Sequence, residues 1–258
     1  MNNLLRADFY RMYRTRKLWI CVLSMLAVSA AMIVMQYTAM DYKVLLDRVI
    51  FLPMTFYGLA IGALTSFYIG DDFCDGVIRN KLIGGNSRSA VYFSNLFVCC
   101  SAALAVYLLT TAFTFGVGVF FFQCNVSLQE FLHCFLLGLL TCMAFTGIFG
   151  MISMLCAERT VSVMVCLALA FVLLFLCLHT NQIVIQQPMK NGMPNPHYVG
   201  GMKRAVYEIL HDLNPYGQTA QLSSMECFSA VRWICMDLIW IFVSLGPGSR
   251  LFAKKDLK

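Results

Sequence analysis

The sequence predicts an all-α, polytopic integral membrane protein: six transmembrane helices behind an N-terminal helix that lies at the bilayer surface. Three observations lead there. Hydrophobic residues make up 60% of the 258, charged residues only 12%, and mean hydropathy is +0.73; soluble domains are nearer half apolar and about a quarter charged. Six stretches approach the roughly 20 apolar residues that a span needs, since the hydrocarbon core is about 30 Å thick and a helix rises about 1.5 Å per residue. The basic residues, finally, gather on alternate sides of those stretches.

The chain opens with residues 1–17, in which Leu5, Phe9, Met12 and Tyr13 fall at helical spacing and Arg6, Arg11 and Arg14 take other positions. An interfacial helix follows from this, its apolar side in the acyl boundary and its arginines toward lipid phosphates. The plainer reading is a basic tail that only sets topology, and the two are compatible. The first span covers 18–37. A signal peptide competes for it, because Ala27-Val28-Ser29 looks like a cleavage site. The apolar run continues to Met35, however, and further spans follow, so the stretch reads as an anchor.

A short outer loop, 38–48, leads to the second span at 49–69. The third, 91–122, is overlong, and a tilt or an interfacial extension absorbs the excess. The fourth and fifth are 131–156 and 161–180, joined through the short inner segment 157–160. The sixth, 231–251, is the least clean, with Arg232, Asp237 and a Gly246-Pro247-Gly248 break; without it the count is five. The largest polar insertion is 181–228. It opens with an irregular piece from Pro188 to Pro196. Val206, Ile209, Leu210 and Leu213 then mark an amphipathic helix stopped by Asn214-Pro215. Ser223 and Glu226 have capping-box spacing ahead of the last span.

With the N-terminus inside, the inner segments hold 13 of the 19 lysines and arginines. Both termini are then cytoplasmic, as expected of a multi-pass protein of the plasma membrane. The net charge of +6 is a topology signal and implies no nucleic-acid partner. Most of the 12 cysteines lie in apolar runs, where they behave as small hydrophobes. Cys124 and Cys227 share the outer side, and a disulfide between them stays open. Paired C-x-x-C ligand spacing does not occur.

The sequence offers little for catalysis. It contains no H-E-x-x-H and no G-x-S-x-G, and Gly84-Gly85-Asn86-Ser87-Arg88 lacks the G-K-[S/T] ending of a phosphate loop. The four histidines are scattered at or beyond span ends. No catalytic, cofactor-binding or metal residue is assigned, so any ATP must be bound by a partner. Asp237 is the main intramembrane carboxylate. It either lines a polar pathway or pairs across helices, or else it sits shallow, in headgroup water near Arg232; the second reading is preferred here. Gly58 and Gly62 allow close helix approach in the second span.

The loop 71–90 is the most informative stretch. Asp75 is expected to cap a short helix, Ile78 and Leu82 fall one turn apart, and Gly84 is expected to end it. A two-turn helix with acids and bases around a small apolar face suits a groove on another protein.

Taken together, the layout resembles the permease subunits of ABC-2-type transporters over the whole of 1–258, read as one domain. The features that carry the resemblance are the N-terminal helix ending Arg14-Thr15-Arg16-Lys17, the segment from Asp75 to Ile83 with Ser87-Arg88, the outer helix ending Leu213-Asn214-Pro215, and the tail from Phe252 to Lys258. The family often has a Glu near the start of the coupling region, where this chain has Asp71, Asp72 and Asp75. The resemblance implies a coupling helix, with Asp75, Gly76, Ile78, Arg79, Asn80, Lys81, Leu82 and Arg88 docking on an ATPase subunit. It further implies two ATPase copies holding ATP and Mg, a second permease forming a homodimer, and spans one, two and five moving around a central or lateral cavity. Export of amphipathic peptides or other lipophilic cargo is the expected activity. The alternative is a non-transporting immunity or sensor protein that binds a peptide through 181–228.

Overall fold

The computed structural model describes residues 2–39, 44–123, 127–156, 158–190, 193–225 and 227–255. Cys124, Glu226 and the tail beyond Lys255 lie outside the described residues, and with them the Cys124–Cys227 pairing and the Ser223/Glu226 capping box.

Apolar length dictates the elements. Six helical segments are long and apolar enough to cross a membrane. The N-terminal helix α1 (Asn2–Arg14) breaks at Thr15 before α2 (Arg16–Ala39), the first span. The second span is built in three pieces, a short α3 (Asp47–Ile50), a 3-10 turn over Leu52–Phe56 opened by Pro53, and α4 (Tyr57–Cys74). After α5 (Val77–Ile83) come three long spans, α6 (Arg88–Phe121), α7 (Leu128–Leu155) and α8 (Arg159–Val184). At 34 residues, α6 is overlong as the sequence implied, and its last turn leaves Phe120 and Phe121 exposed.

Beyond a two-residue ladder, β1 (Met189–Lys190) on β2 (Met193–Pro194), the chain forms α9 (Gly201–Leu213) and α10 (Pro215–Ser224). The last span is α11 (Ala230–Leu245) followed by α12 (Pro247–Lys254). The break falls where the sequence placed it. Pro247 opens α12 at its first turn, where no backbone donor is needed, and Gly246 N–H still closes on Phe242 O at 2.9 Å.

Two helices form the centre of the bundle. α4 packs on α2, α7 and α8, while α7 packs on α4, α6 and α11. The outward faces of the peripheral helices are apolar: Ile20, Leu23, Phe97, Val172, Phe175 and Phe242 are each at least 60% exposed. Water would oppose such a belt, and lipid accepts it. The chain is a multi-pass, all-α membrane protein.

The segment 181–228 does more than loop over one end of the bundle. Asn214, at the vertex between α9 and α10, donates Nδ2 to Leu173 O at 2.7 Å, and Trp240 Nε1 donates to Leu213 O at 2.8 Å. Leu173 lies about 16 Å along α8 from its end at Val184, and Trp240 about 15 Å along α11 from its start. α9 and α10 thus form a hairpin that enters the bundle and turns back near its middle. The apolar face of α9 was correctly placed at Val206, Ile209 and Leu210, yet it points outward, all three being exposed. Arg204, Glu208, His211 and Asp212 face the protein instead.

Candidate functional site

The loop between the second and third spans is built by turn chemistry. Gly76 adopts φ +66°, a left-handed conformation that favours glycine, and this reverses the chain between α4 and α5. Asp75 does not cap α5 as expected. It closes α4, its N–H donating to Asp71 O at 2.8 Å, and no side chain caps α5. At the far end Gly84 N–H donates to Asn80 O at 3.0 Å, as expected of the terminating residue. Gly85, at φ +85°, makes the turn, and Ser87 then caps α6 by accepting Ala90 N–H at 3.2 Å.

Beneath α5 lies a buried charge cluster. Lys81 Nζ sits 2.8 Å from Asp8 Oδ1 and 3.3 Å from Asp72 Oδ2, and donates to Asn95 Oδ1 at 2.8 Å. Arg11 reaches the same Asp72 oxygen at 2.5 Å and donates to Tyr68 Oη at 3.0 Å. Ser94 donates to Asp8 Oδ2 at 2.7 Å. Two acids and two bases from α1, α4 and α5 thus compensate one another, with α6 supplying the neutral partners. Burial opposes the Arg11 charge, but Asp72 and Tyr68 together more than offset this and raise its pKa. The side chains of Asp8 and Asp72 are each 3% exposed and that of Lys81 is 9% exposed, so the cluster lies inside the protein.

This placement corrects the expected orientation of α1. Arg11 turns away from lipid phosphates toward Asp72, and Met12 is buried in the bundle, because Asp8 and Arg11 share the inward face of the helix. Arg6 and Arg14 remain exposed. An apolar-periodicity reading missed this face, since its inward residues are charged; the i, i+3 pair of Asp8 and Arg11 was the available signal.

The coupling-helix residues divide into two groups. Ile78, 2% exposed, and Lys81 face the bundle, and Leu82 is half-buried against it. Arg79 and Asn80 are exposed beside Asp75, as is Ile83 at 77%, a residue the sequence reading did not single out for docking. Arg88 looks elsewhere, donating to Ala253 O at 2.9 Å and Lys255 O at 2.6 Å, and so ties the start of α6 to the C-terminal helix.

Asp237 is buried at 0% exposure, which overturns the shallow, hydrated placement. Arg232 pairs instead with Asp212 and with Glu208. Asp237 Oδ2 lies 3.3 Å from Thr141 Oγ1, which accepts Trp233 Nε1 at 2.9 Å and lies 3.0 Å from Gln218 Oε1. The carboxylate therefore joins α11 to α7 and to the re-entrant α10, the pairing alternative. Of the two glycines, Gly58 is the tight one. A Cβ there would meet ring atoms of Phe145 and Tyr216 at 2.6 Å, whereas one at Gly62 would find Phe149 at an ordinary 3.5 Å.

Two grooves open on the sides of the bundle. One, of about 440 Å³, is almost wholly apolar and lies between α6, α7 and α11, with Leu5 of α1 at its rim. The other, of about 340 Å³, runs between α2 and α4 toward Arg159 at the start of α8.

No protein-family profile matches this sequence, and no curated protein matches it.

Proposed function

We propose that the chain is the permease subunit of an ATP-driven transporter of the ABC-2 type, working as a dimer of permeases over two copies of a separate ATPase subunit that holds ATP and Mg. The protein spans the plasma membrane with both termini and α5 in the cytoplasm, the side to which the basic residues assign them. Amphipathic peptides or other lipophilic molecules are the cargo class. The observation that carries this reading is the mounting of α5. A seven-residue helix outside the spans is locked by buried charges to α1, α4 and α6, while Arg79, Asn80 and Ile83 face away from the bundle. An ordinary connecting loop does not require such an anchor. A lever does, because force applied to its outer face must reach the spans without loss.

The test is co-expression with a candidate ATPase subunit from the same genome. The two should co-purify, and the mixed complex should hydrolyse ATP faster than the ATPase alone. Arg79→Glu together with Ile83→Asp, both exposed, should weaken the union at least tenfold and leave the permease folded. Ile78 is unsuitable for this purpose, being buried. Unchanged binding by the double variant overturns the docking assignment. A chain that purifies alone and binds peptide through its α9–α10 hairpin would favour the sensor reading, which the exposed apolar face of α9 supports.

A further inference from the structure

We infer that the groove between α2 and α4 binds one phospholipid with an anionic headgroup, its phosphate held by Lys17 and Arg159 and an acyl chain lying along Cys21, Ser24, Ala60 and Ala63. The groove exists because those four side chains are small. Two facing helix surfaces that carry Cys21 and Ser24 against Ala60 and Ala63 cannot fill the space between them, and Ile20, Leu64 and Phe67 wall what is left. From Lys17 to Ser24 the floor runs about 10 Å into the bilayer. Its deep end is apolar and its shallow end is charged, so it has the polarity of a lipid.

The mouth specifies the sign of the headgroup. Lys17 and Arg159 both pair with Asp71, the latter at 3.2 Å, and both cations lie over the Phe67 ring, at 5.7 and 5.3 Å from its centroid. Two bases thus share one carboxylate. Asp72, next in sequence, is taken up by Arg11 and Lys81. Glu158, next to Arg159 in sequence, and Asp75 are exposed but form no ion pair with either base among the described residues, so the lining sets two positive charges against one paired carboxylate. Arg159 is 45% exposed and, among the described residues, makes no other side-chain hydrogen bond, so the rest of its planar fork can take phosphate oxygens. Charge complementarity therefore selects an anionic lipid over a zwitterionic one. Only the leaflet, the cytoplasmic one, rests on the orientation proposed above; the binding itself does not depend on an ATPase.

The test is native mass spectrometry of the purified chain, exchanged into micelles containing equal phosphatidylglycerol and phosphatidylcholine. One phosphatidylglycerol should be retained, with at least a tenfold preference. Lys17→Gln with Arg159→Gln should abolish that preference. Ala63→Phe, which fills the groove and leaves the ion pairs intact, should eject the lipid. Asp71→Asn should strengthen retention by freeing both cations, an effect that a purely structural ion pair would not produce. Equal retention of both lipids, retention unaffected by Ala63→Phe, or weaker retention in Asp71→Asn overturns the proposal. So does displacement by millimolar inorganic phosphate, which would mean an anion site without a lipid. Disulfide trapping through Ser24→Cys, between two chains, would show the groove covered by a second copy and overturn it as well.

Discussion

Lys81 compensates two carboxylates at once, and the physics of burial makes it the least replaceable residue of α5. With Lys81→Met, Asp8 and Asp72 would share Arg11 alone in an environment where removing one partner of a buried ion pair costs about 3–5 kcal/mol. A loss of that size is expected in thermal unfolding of the detergent-solubilised protein. Asp71→Asn acts on the half-exposed ion pairs outside the cluster and is expected to stay within about 1 kcal/mol of the parent. Equal melting of the two variants would mean that the inner cluster is not buried. Asp8 and Arg11 also mark where sequence reasoning stops. Apolar spacing identified a helix over residues 1–17, but a buried charge leaves no trace in hydropathy, so Leu5, Phe9, Met12 and Tyr13 were read as a lipid-facing side and no protein-facing side was expected. The same blindness reversed the placement of Asp237: a carboxylate in a span is costly in isolation, and its partner Thr141, with Gln218 beyond it, comes from sequence positions that no local pattern links to it.

Among the elements, the re-entrant hairpin depends most on one residue. Asn214 Oδ1 accepts Tyr216 N–H at 3.1 Å, capping α10, while its Nδ2 holds the vertex to α8. Asn214→Ala removes both bonds, about 2 kcal/mol together. Amide exchange across 215–224 is expected to rise roughly 30-fold while the spans stay protected. Exchange that rises equally everywhere would deny the hairpin its separate stability. The amphipathic character of α9 and its stop at Asn214-Pro215 were legible from periodicity and from proline chemistry. The direction of its apolar face was not, since periodicity says that one face is apolar and does not say whether lipid or protein meets it. The short α5 was legible for a different reason: Ile78 and Leu82 fall one turn apart and Gly84 ends it, although the turn at Gly76 stands where Asp75 was expected to cap it. Which side of it faces the bundle depends on α1 and α6, and therefore on tertiary structure.

At the scale of the whole molecule, α1 and the anchored α5 pack against a bundle of six helices long and apolar enough to cross a membrane. The span count followed from apolar length alone, because the bilayer sets a single number that every crossing helix must meet. The proposed orientation across the membrane rests on lysine and arginine placement alone. All of the functional reading hangs on that orientation, since an ATPase subunit can reach α5 only from the cytoplasm. Two cysteines offer a direct test. Cys74 is exposed beside α5, and Cys227 is partly exposed before α11, at the opposite end of the bundle. Intact cells are treated with a membrane-impermeant thiol reagent and the two peptides are read by mass spectrometry. The account predicts that Cys227 is modified while Cys74 stays unmodified until the cells are permeabilised. Modification of Cys74 in intact cells, with Cys227 spared, would place α5 outside and contradict it.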